Sequence, residues 1–348
     1  MDLDDTINIQ SALRSRGYTV VMHDFFIDRV VRLGSISPEM LLTMVKEKVE
    51  VGGGSIRGIE QVEMKGGNAV NLAYALAMLD AKCRLITMAD GYGSGILRQV
   101  FSGLDGVDLV VLEGRQGYTL ALEFPAGSGR VANVMLSDVG DNACFGADRL
   151  NGLEPILSSA SCIAVVNWAS NMKGTELAGK AFSTSSSALH FIDPADLGDR
   201  GKEFVHAILE GMLRPDVLSM NENEARIVAR ALGIEPMPYN YSMDDVARQC
   251  KSIASTLGMR VDLHTPICSA TSDGKGSSHA GALRVSAARI ATGAGDVWDA
   301  ADIVGYLCDM DDHSRLLFAN ASAACYVSSA RVPRLDDVLS LVSTVSGE

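Results

Sequence analysis

The chain has 348 residues, a length that at ~100–200 residues per domain allows two domains or one large α/β unit. Apolar residues make up 47% and charged residues 21%, enough for a sizeable core, so disorder is excluded as the default. The net charge is −13 and Lys and Arg nowhere cluster, which excludes a surface that tracks nucleic-acid phosphates. A small phosphorylated ligand held by backbone N–H groups stays open.

The N-terminal stretch MDLDDTINIQSALRSRG is acidic, then amphipathic, and lacks the basic-then-apolar build of a signal peptide. No apolar run approaches the ~20 residues that span a bilayer, so a cytoplasmic protein without membrane contact is expected. YTVVMHDFFID (18–28) reads as a strand, and 29–65 is irregular, with three consecutive glycines at 52–54. NAVNLAYALAMLDA (68–81) reads as a helix, CRLITMAD (83–90) as a strand, GILRQVFSGL as a helix and VDLVVLEG as a strand. YTLALEFPAGSGRVANVML (118–136) places two strand-like runs around a Pro/Gly/Ser turn, a hairpin signal. Further strands are ASCIAVVNW (160–168), SALHFIDP (187–194), DVLSMN (216–221) and RVDLHTPICSA (260–270). Such alternation argues for βαβ units in a doubly wound, mostly parallel sheet with helices on both faces. One α/β domain over 1–348 is expected, with segments of about 29–65 and 114–138 forming a small β lid. The seven cysteines are widely spaced and never paired as C-x-x-C, and six scattered histidines show no metal spacing. Buried free thiols are expected rather than disulfides or a transition-metal site.

Asp28, Asp90, Asn167, Asp193 and Asn221 each stand where an apolar run stops. In an open parallel sheet the ligand crevice lies outside the carboxyl ends of the strands. Any one of these residues could simply cap a turn, but five in series point to a site.

Near the C-terminus, ATGAGDVWDA (291–300) sets two glycines and an aspartate before a helical pattern in which Val297, Ala301, Val304 and Cys308 recur. A dinucleotide fingerprint would need glycine where Trp298 stands, and no segment fits a P-loop. What fits is a backbone anion hole: the amides of Gly293, Ala294 and Gly295 at a helix start would face the charge of a migrating phosphoryl group. Asp296, held ionised by the helix dipole, would be a weak base that orients an attacking hydroxyl, although Asp also caps helices for purely structural reasons. A second turn, MKGGNAVNLAYALAMLDAK, carries Asn68 and Asn71 on its first helical turn, suited to polyol hydroxyls; helix capping would account for Asn68 but not Asn71. Asn221 and Glu224, three apart after a strand in LSMNENEARIVARAL, would lie on one side of a helix start. Magnesium needs only one or two such oxygens.

Together TGAGD, GGNAVNLAYAL, MADGYGSGIL (88–97) and NENEA resemble, in order and spacing over about 18–330, the ribokinase (PfkB-type) family of carbohydrate kinases. The resemblance implies a ribokinase-like α/β fold with a β lid that often forms a dimer contact. It implies a Mg2+-dependent kinase that moves the terminal phosphate of ATP, or of ADP, onto a hydroxyl of a sugar, sugar phosphate or nucleoside. By the same resemblance Asp296 is the catalytic base and Gly293, Ala294 and Gly295 the anion hole. Asp28, Gly67, Asn68 and Asn71 hold the acceptor, and Asn221 and Glu224 serve magnesium and phosphate. Thr265, Gly276 and Asn320 lie toward the nucleotide, although His264-Thr265-Pro266 departs from the family's usual Thr-x-Gly turn, and His23-Asp24 departs from its usual glycine. VVNWASNMKGTELAG is similar to archaeal ribose-1-phosphate kinases of the family; there Lys173, with Arg130 on the lid hairpin, would suit an acceptor that already carries a phosphate. The alternative is a non-catalytic sugar or nucleotide sensor of the same fold.

Overall fold

In a computed structural model, which describes residues 3–126, 130–285, 288–290 and 292–346, thirteen strands divide between two sheets. They are β1 (Thr19–His23), β2 (Phe26–Arg32), β3 (Glu60–Gly66), β4 (Cys83–Ala89), β5 (Val107–Glu113), β6 (Gly117–Ala126), β7 (Arg130–Asp138), β8 (Cys162–Val166), β9 (Leu189–Asp193), β10 (Val217–Asn221), β11 (Arg260–His264), β12 (Cys268–Ser272) and β13 (Ser277–Gly281). The large sheet runs β13-β12-β11-β10-β9-β8-β1-β4-β5. From β11 through β5 the pairings are parallel, and β12 and β13 return antiparallel. The chain leaves β1 for β4 on one side and later returns to β8 on the other, so the switch point, where the crevice of an open α/β sheet lies, falls at the end of β1.

Alternation along each strand feeds two cores. Val21, Leu85 and Ala164 point to a face covered by the helices Asn68–Met78, Ala294–Leu307 and Asp312–Ser329. Val20, Met22, Ile86 and Val165 point to the opposite face, under Gly174–Thr184, Gly201–Leu209, Glu222–Ala231 and Met243–Leu257. The side chains of Cys83, Cys162, Cys250 and Cys268 are buried, and all seven thiols are free. Among the described residues no helix is long and apolar enough to cross a membrane.

The small sheet runs β3-β2-β6-β7, with β2 and β6 parallel. It takes its strands from the two segments expected to leave the core; residues 127–129 of the hairpin turn lie outside the described residues. Three sequence expectations change. YTVVMHDFFID is not one strand: β1 belongs to the large sheet and β2, which carries Asp28, to the small one. RVDLHTPICSA breaks at Pro266, where Thr265 Oγ1 donates to the Cys268 carbonyl at 2.7 Å and turns β11 back into β12. The stretch read as irregular contains a helix, Pro38–Glu50, started by Ser37, whose side chain accepts from the Met40 N–H, with Pro38 in the first turn. None of its residues is buried, which is why apolar periodicity did not announce it.

Candidate active site

A cavity of about 900 Å³ opens between the carboxyl ends of the core strands and the small sheet. Asn167, Asp193 and Asn221, at the ends of β8, β9 and β10, line it, as does Asp28 from β2. Asp90 does not: its carboxylate accepts from the Gly93 N–H at 2.8 Å and caps the helix Gly91–Val100.

The floor is built from two helix starts. At the first, Gly67 occupies the N-cap position with φ +94° and has no side chain to offer the free N–H groups. Asp24, just past β1, supplies the missing acceptor: its carboxylate takes the N–H of Asn68 at 2.9 Å and of Ala69 at 2.8 Å. It also accepts from the Asn167 amide at 2.8 Å. A Cβ on Gly67 would come within 2.8 Å of the Asp24 carbonyl, so the sharp entry requires glycine. The departure His23-Asp24 noted in the sequence therefore has a structural use.

At the second start, Gly293 adopts φ +83° and the helix Ala294–Leu307 follows directly. Gly293, Ala294 and Gly295 all line the cavity, and Asp296 is buried behind them. Its two oxygens accept from the Asn68 amide at 2.9 Å and the Asn71 amide at 3.0 Å. Asn68 and Asn71 were expected to face a polyol; in this state each amide gives one of its two N–H donors to Asp296. Lys65, on β3, donates to the Asn71 carbonyl oxygen at 2.6 Å.

The expected ionisation of Asp296 needs correction. Burial pushes its pKa up to about 8, and the charges of Asp193 and Asp24 add to the rise, against the opposing bonds from Asn71 and Asn68. A helix dipole is worth about 0.3–1 kcal/mol, whereas taking a carboxylate out of water costs several, so burial wins. Asp296 is a better proton acceptor than its place at a helix start suggests. Asp28 is also raised by burial, partly offset by Thr119.

Asn221 and Glu224 form a reciprocal cap. Asn221 accepts from the N–H of Asn223 and Glu224, while Glu224 accepts from the Asn221 N–H at 2.8 Å and from its amide at 2.6 Å. Burial and the nearby Asp193 drive Glu224 well above the usual carboxylate range. Asp299 is likewise raised by burial and by Asp193, whose carboxyl it meets. This concentration of carboxyl groups favours a cation. Among the described residues, no three His, Cys, Asp or Glu side chains are set to cage a metal by themselves.

On the opposite side Thr265 and Asn320 line the cavity. The Asn320 amide is already committed, accepting from Trp298 Nε1 at 2.9 Å and donating to the Gly281 carbonyl at 3.1 Å. His264, missed from the sequence as a site residue, also lines the cavity, beside Gly295 and tilted against Trp298. Burial lowers its pKa to about 4, so the ring is neutral.

Two expected contacts fall elsewhere. Gly276 sits in the β12–β13 turn, donating to Asp273 at 2.8 Å, away from the cavity lining. Lys173 is exposed, packs its stem over Gly146 and does not line the cavity. Arg130 begins β7 at the hairpin tip, and its side chain lies outside the described residues.

The fold is ribokinase-like. The ribokinase of Thermotoga maritima, 18% identical, matches with a TM-score of 0.70 over 94% of this chain and 99% of that one. The ribokinase of Arabidopsis thaliana complexed with ribose and ATP, also 18% identical, matches with a TM-score of 0.68 over 94% and 99%. Among curated proteins, a ketohexokinase of Haloferax volcanii is 26% identical over 248 residues, 66% of this chain, and the chain covers 63% of that relative's length. No family model matches the chain. The relatives bear out the resemblance to the ribokinase (PfkB-type) family that the motifs carry.

Proposed function

We propose that the protein is a carbohydrate kinase that moves the terminal phosphate of ATP onto a hydroxyl of an uncharged sugar or nucleoside. One observation carries the reading: a buried carboxylate, Asp296, is fixed by two asparagines directly beside the Gly293–Gly295 helix start, at the floor of a cavity that also holds Asp28. Asp296 is placed to accept the proton of the attacking hydroxyl, and its raised pKa makes that transfer favourable near neutral to mildly alkaline pH. The amides of residues 293–295 are placed to face the charge of the migrating group. Asp28 is placed to orient the acceptor. Asn221 and Glu224, whose side chains cap each other in this state, would hold magnesium, which would supply positive charge against the phosphates. The small sheet, acting as a lid, would keep water from the transfer.

The choice of an uncharged acceptor rests on charge. The described lining contains no Lys or Arg, while Asp24, Asp28, Asp193 and Asp296 all face the cavity. A phosphorylated acceptor would bring further negative charge into this setting, where no Lys or Arg of the described lining meets it. With Lys173 outside the lining, one of the two cations that suggested a sugar phosphate such as ribose 1-phosphate no longer supports it.

A coupled assay tests this, offering ATP or ADP with magnesium against ribose, fructose, inositol and nucleosides, and against ribose 1-phosphate and fructose phosphates. Turnover is expected with an uncharged acceptor. Asp296→Asn should lower kcat by about 10²–10⁴ while acceptor affinity changes little. Near-normal turnover in that variant would remove Asp296 from the chemistry. Turnover confined to phosphorylated acceptors would overturn the acceptor class, and binding without any turnover would identify a sensor.

A further inference from the structure

Lys65 is the charged residue for which the reading above has no use. It stands at the end of β3, immediately before Gly66 and Gly67, and its partly buried side chain turns toward the core. Its Nζ donates to Asn71 Oδ1 at 2.6 Å, and Asn71 Nδ2 donates to Asp296 Oδ2 at 3.0 Å. The order of these bonds is forced. With both groups charged, the ammonium can only donate and the carboxylate can only accept, so the amide between them has one workable orientation. Nζ also stands 4.8 Å from the centre of the Tyr74 ring, which holds the side chain in place.

We propose that Lys65 is a positioning residue that, from the small sheet, orients Asn71 and lends its charge to the ionised form of Asp296. The proposal rests on the kinase reading only for its catalytic meaning; the chain of bonds stands apart from it. The groups around Asp296 leave this role open. Asp24 after β1, Asp28 on β2, Asp193 on β9 and Asp299 on its own helix are all acidic. His264 on β11 is neutral, and Tyr326 on the helix Asp312–Ser329 is a phenol whose pKa Asp296 and burial raise. Lys65 feels both Asp296 and Asp28, yet burial lowers its own pKa to about 8.

Signs follow from these two groups. As pH rises through about 8 Asp296 gains its charge, and over the same range Lys65 loses its own. The rate profile, kcat/KM against pH, should therefore rise with the ionisation of Asp296. Lys65→Arg keeps its charge to higher pH, so its rise should come no later than in the wild type. Lys65→Met withdraws the charge altogether, so its acidic limb should move up by about one unit.

The experiment is a pH titration of aspartate carboxyl groups by 13C NMR on the full chain without substrate, with the Asp296 resonance assigned by its loss in Asp296→Asn. Its midpoint should rise by about one unit in Lys65→Met and return toward the wild-type value in Lys65→Arg. An unmoved midpoint in a folded Lys65→Met protein overturns the proposal, whatever happens to turnover. A shifted midpoint together with silence toward every acceptor upholds the link between Lys65 and Asp296 and sinks the kinase reading instead.

Discussion

The helix Ala294–Leu307 holds buried carboxylates toward both ends, and they are treated in opposite ways. At its start, Asp296 is met by the neutral amides of Asn68 and Asn71. Two turns on, Asp302 and the neighbouring Asp262 of β11 close directly around Arg315. Arg315 Nη1 reaches Asp262 at 3.0 Å, Tyr306 donates its hydroxyl to the same carboxylate at 2.6 Å, and Thr271 accepts from the guanidinium at 3.1 Å. Burial is complete in both places, yet Arg315 and its hydrogen bonds hold Asp262 below the usual carboxylate range, while burial and Asp262 raise Asp302 beside it, and Asp296 is pushed up to about 8. Burial alone therefore does not decide what a carboxylate is for. A cation in direct contact keeps one carboxylate of the pair charged and makes the cluster structural; amides orient the group but leave its proton free to move.

That contrast can be broken most severely at the structural end. Arg315→Met would leave Asp262 and Asp302 facing each other without their cation, in a place water does not reach. Breaking a buried pair from one side costs about 3–5 kcal/mol, and a urea unfolding curve should show a loss of that size. A loss below about 1 kcal/mol would mean that the two carboxyls shed their charge freely by protonation, and the distinction between the two ends would fail.

Asn71→Ala tests the other end and should separate stability from turnover. The substitution removes one bond to Asp296 and cuts Lys65 off from it. A hydrogen bond to a charged group is worth about 1.5–3 kcal/mol, so kcat should fall about ten- to a hundred-fold while the unfolding midpoint moves little. Equal loss in both measurements would show that Asn71 serves the fold and not the base.

How far the sequence reveals such differences depends on the range of the interaction. The alternation of apolar runs was enough to read the parallel sheet, because each strand is set by its own residues and their period. The glycine turns at 67 and 293–295 were legible for the same reason: a positive φ and a helix start are local events. That Asn68 and Asn71 hold Asp296 was not legible, since more than 220 positions separate the partners. Nor was the ionisation of Asp296, because burial is a property of the assembled core. Lys65 shows the middle case. Its place just before two glycines was visible, but the direction of its side chain is fixed by the pairing of β3 with β2, where Lys65 lies opposite Ile27. The helix Pro38–Glu50 was missed although Ser37-Pro38-Glu39 is a readable start, because an element that buries nothing shows no apolar stripe.

The smallest effect is expected at Lys173, and it is informative because it is small. In the sequence this lysine stands six residues after Asn167, close enough to suggest a cation at the mouth of the site. In the structure a short turn intervenes. The Met172 N–H donates to the Ala143 carbonyl, and the Lys173 N–H bonds to the Asn171 side chain at 2.9 Å. The chain is thereby directed toward the loop at Gly146, over which the lysine stem packs, and away from the cavity lined by Asn167 and Ser170. An exposed ammonium in that position is screened by solvent and salt. Lys173→Ala should therefore change KM for an uncharged acceptor by less than about two-fold and leave kcat unaltered. A rise of ten-fold or more in KM, confined to phosphorylated acceptors, would place this cation at the substrate after all and restore the sugar-phosphate reading that the acidic lining argues against.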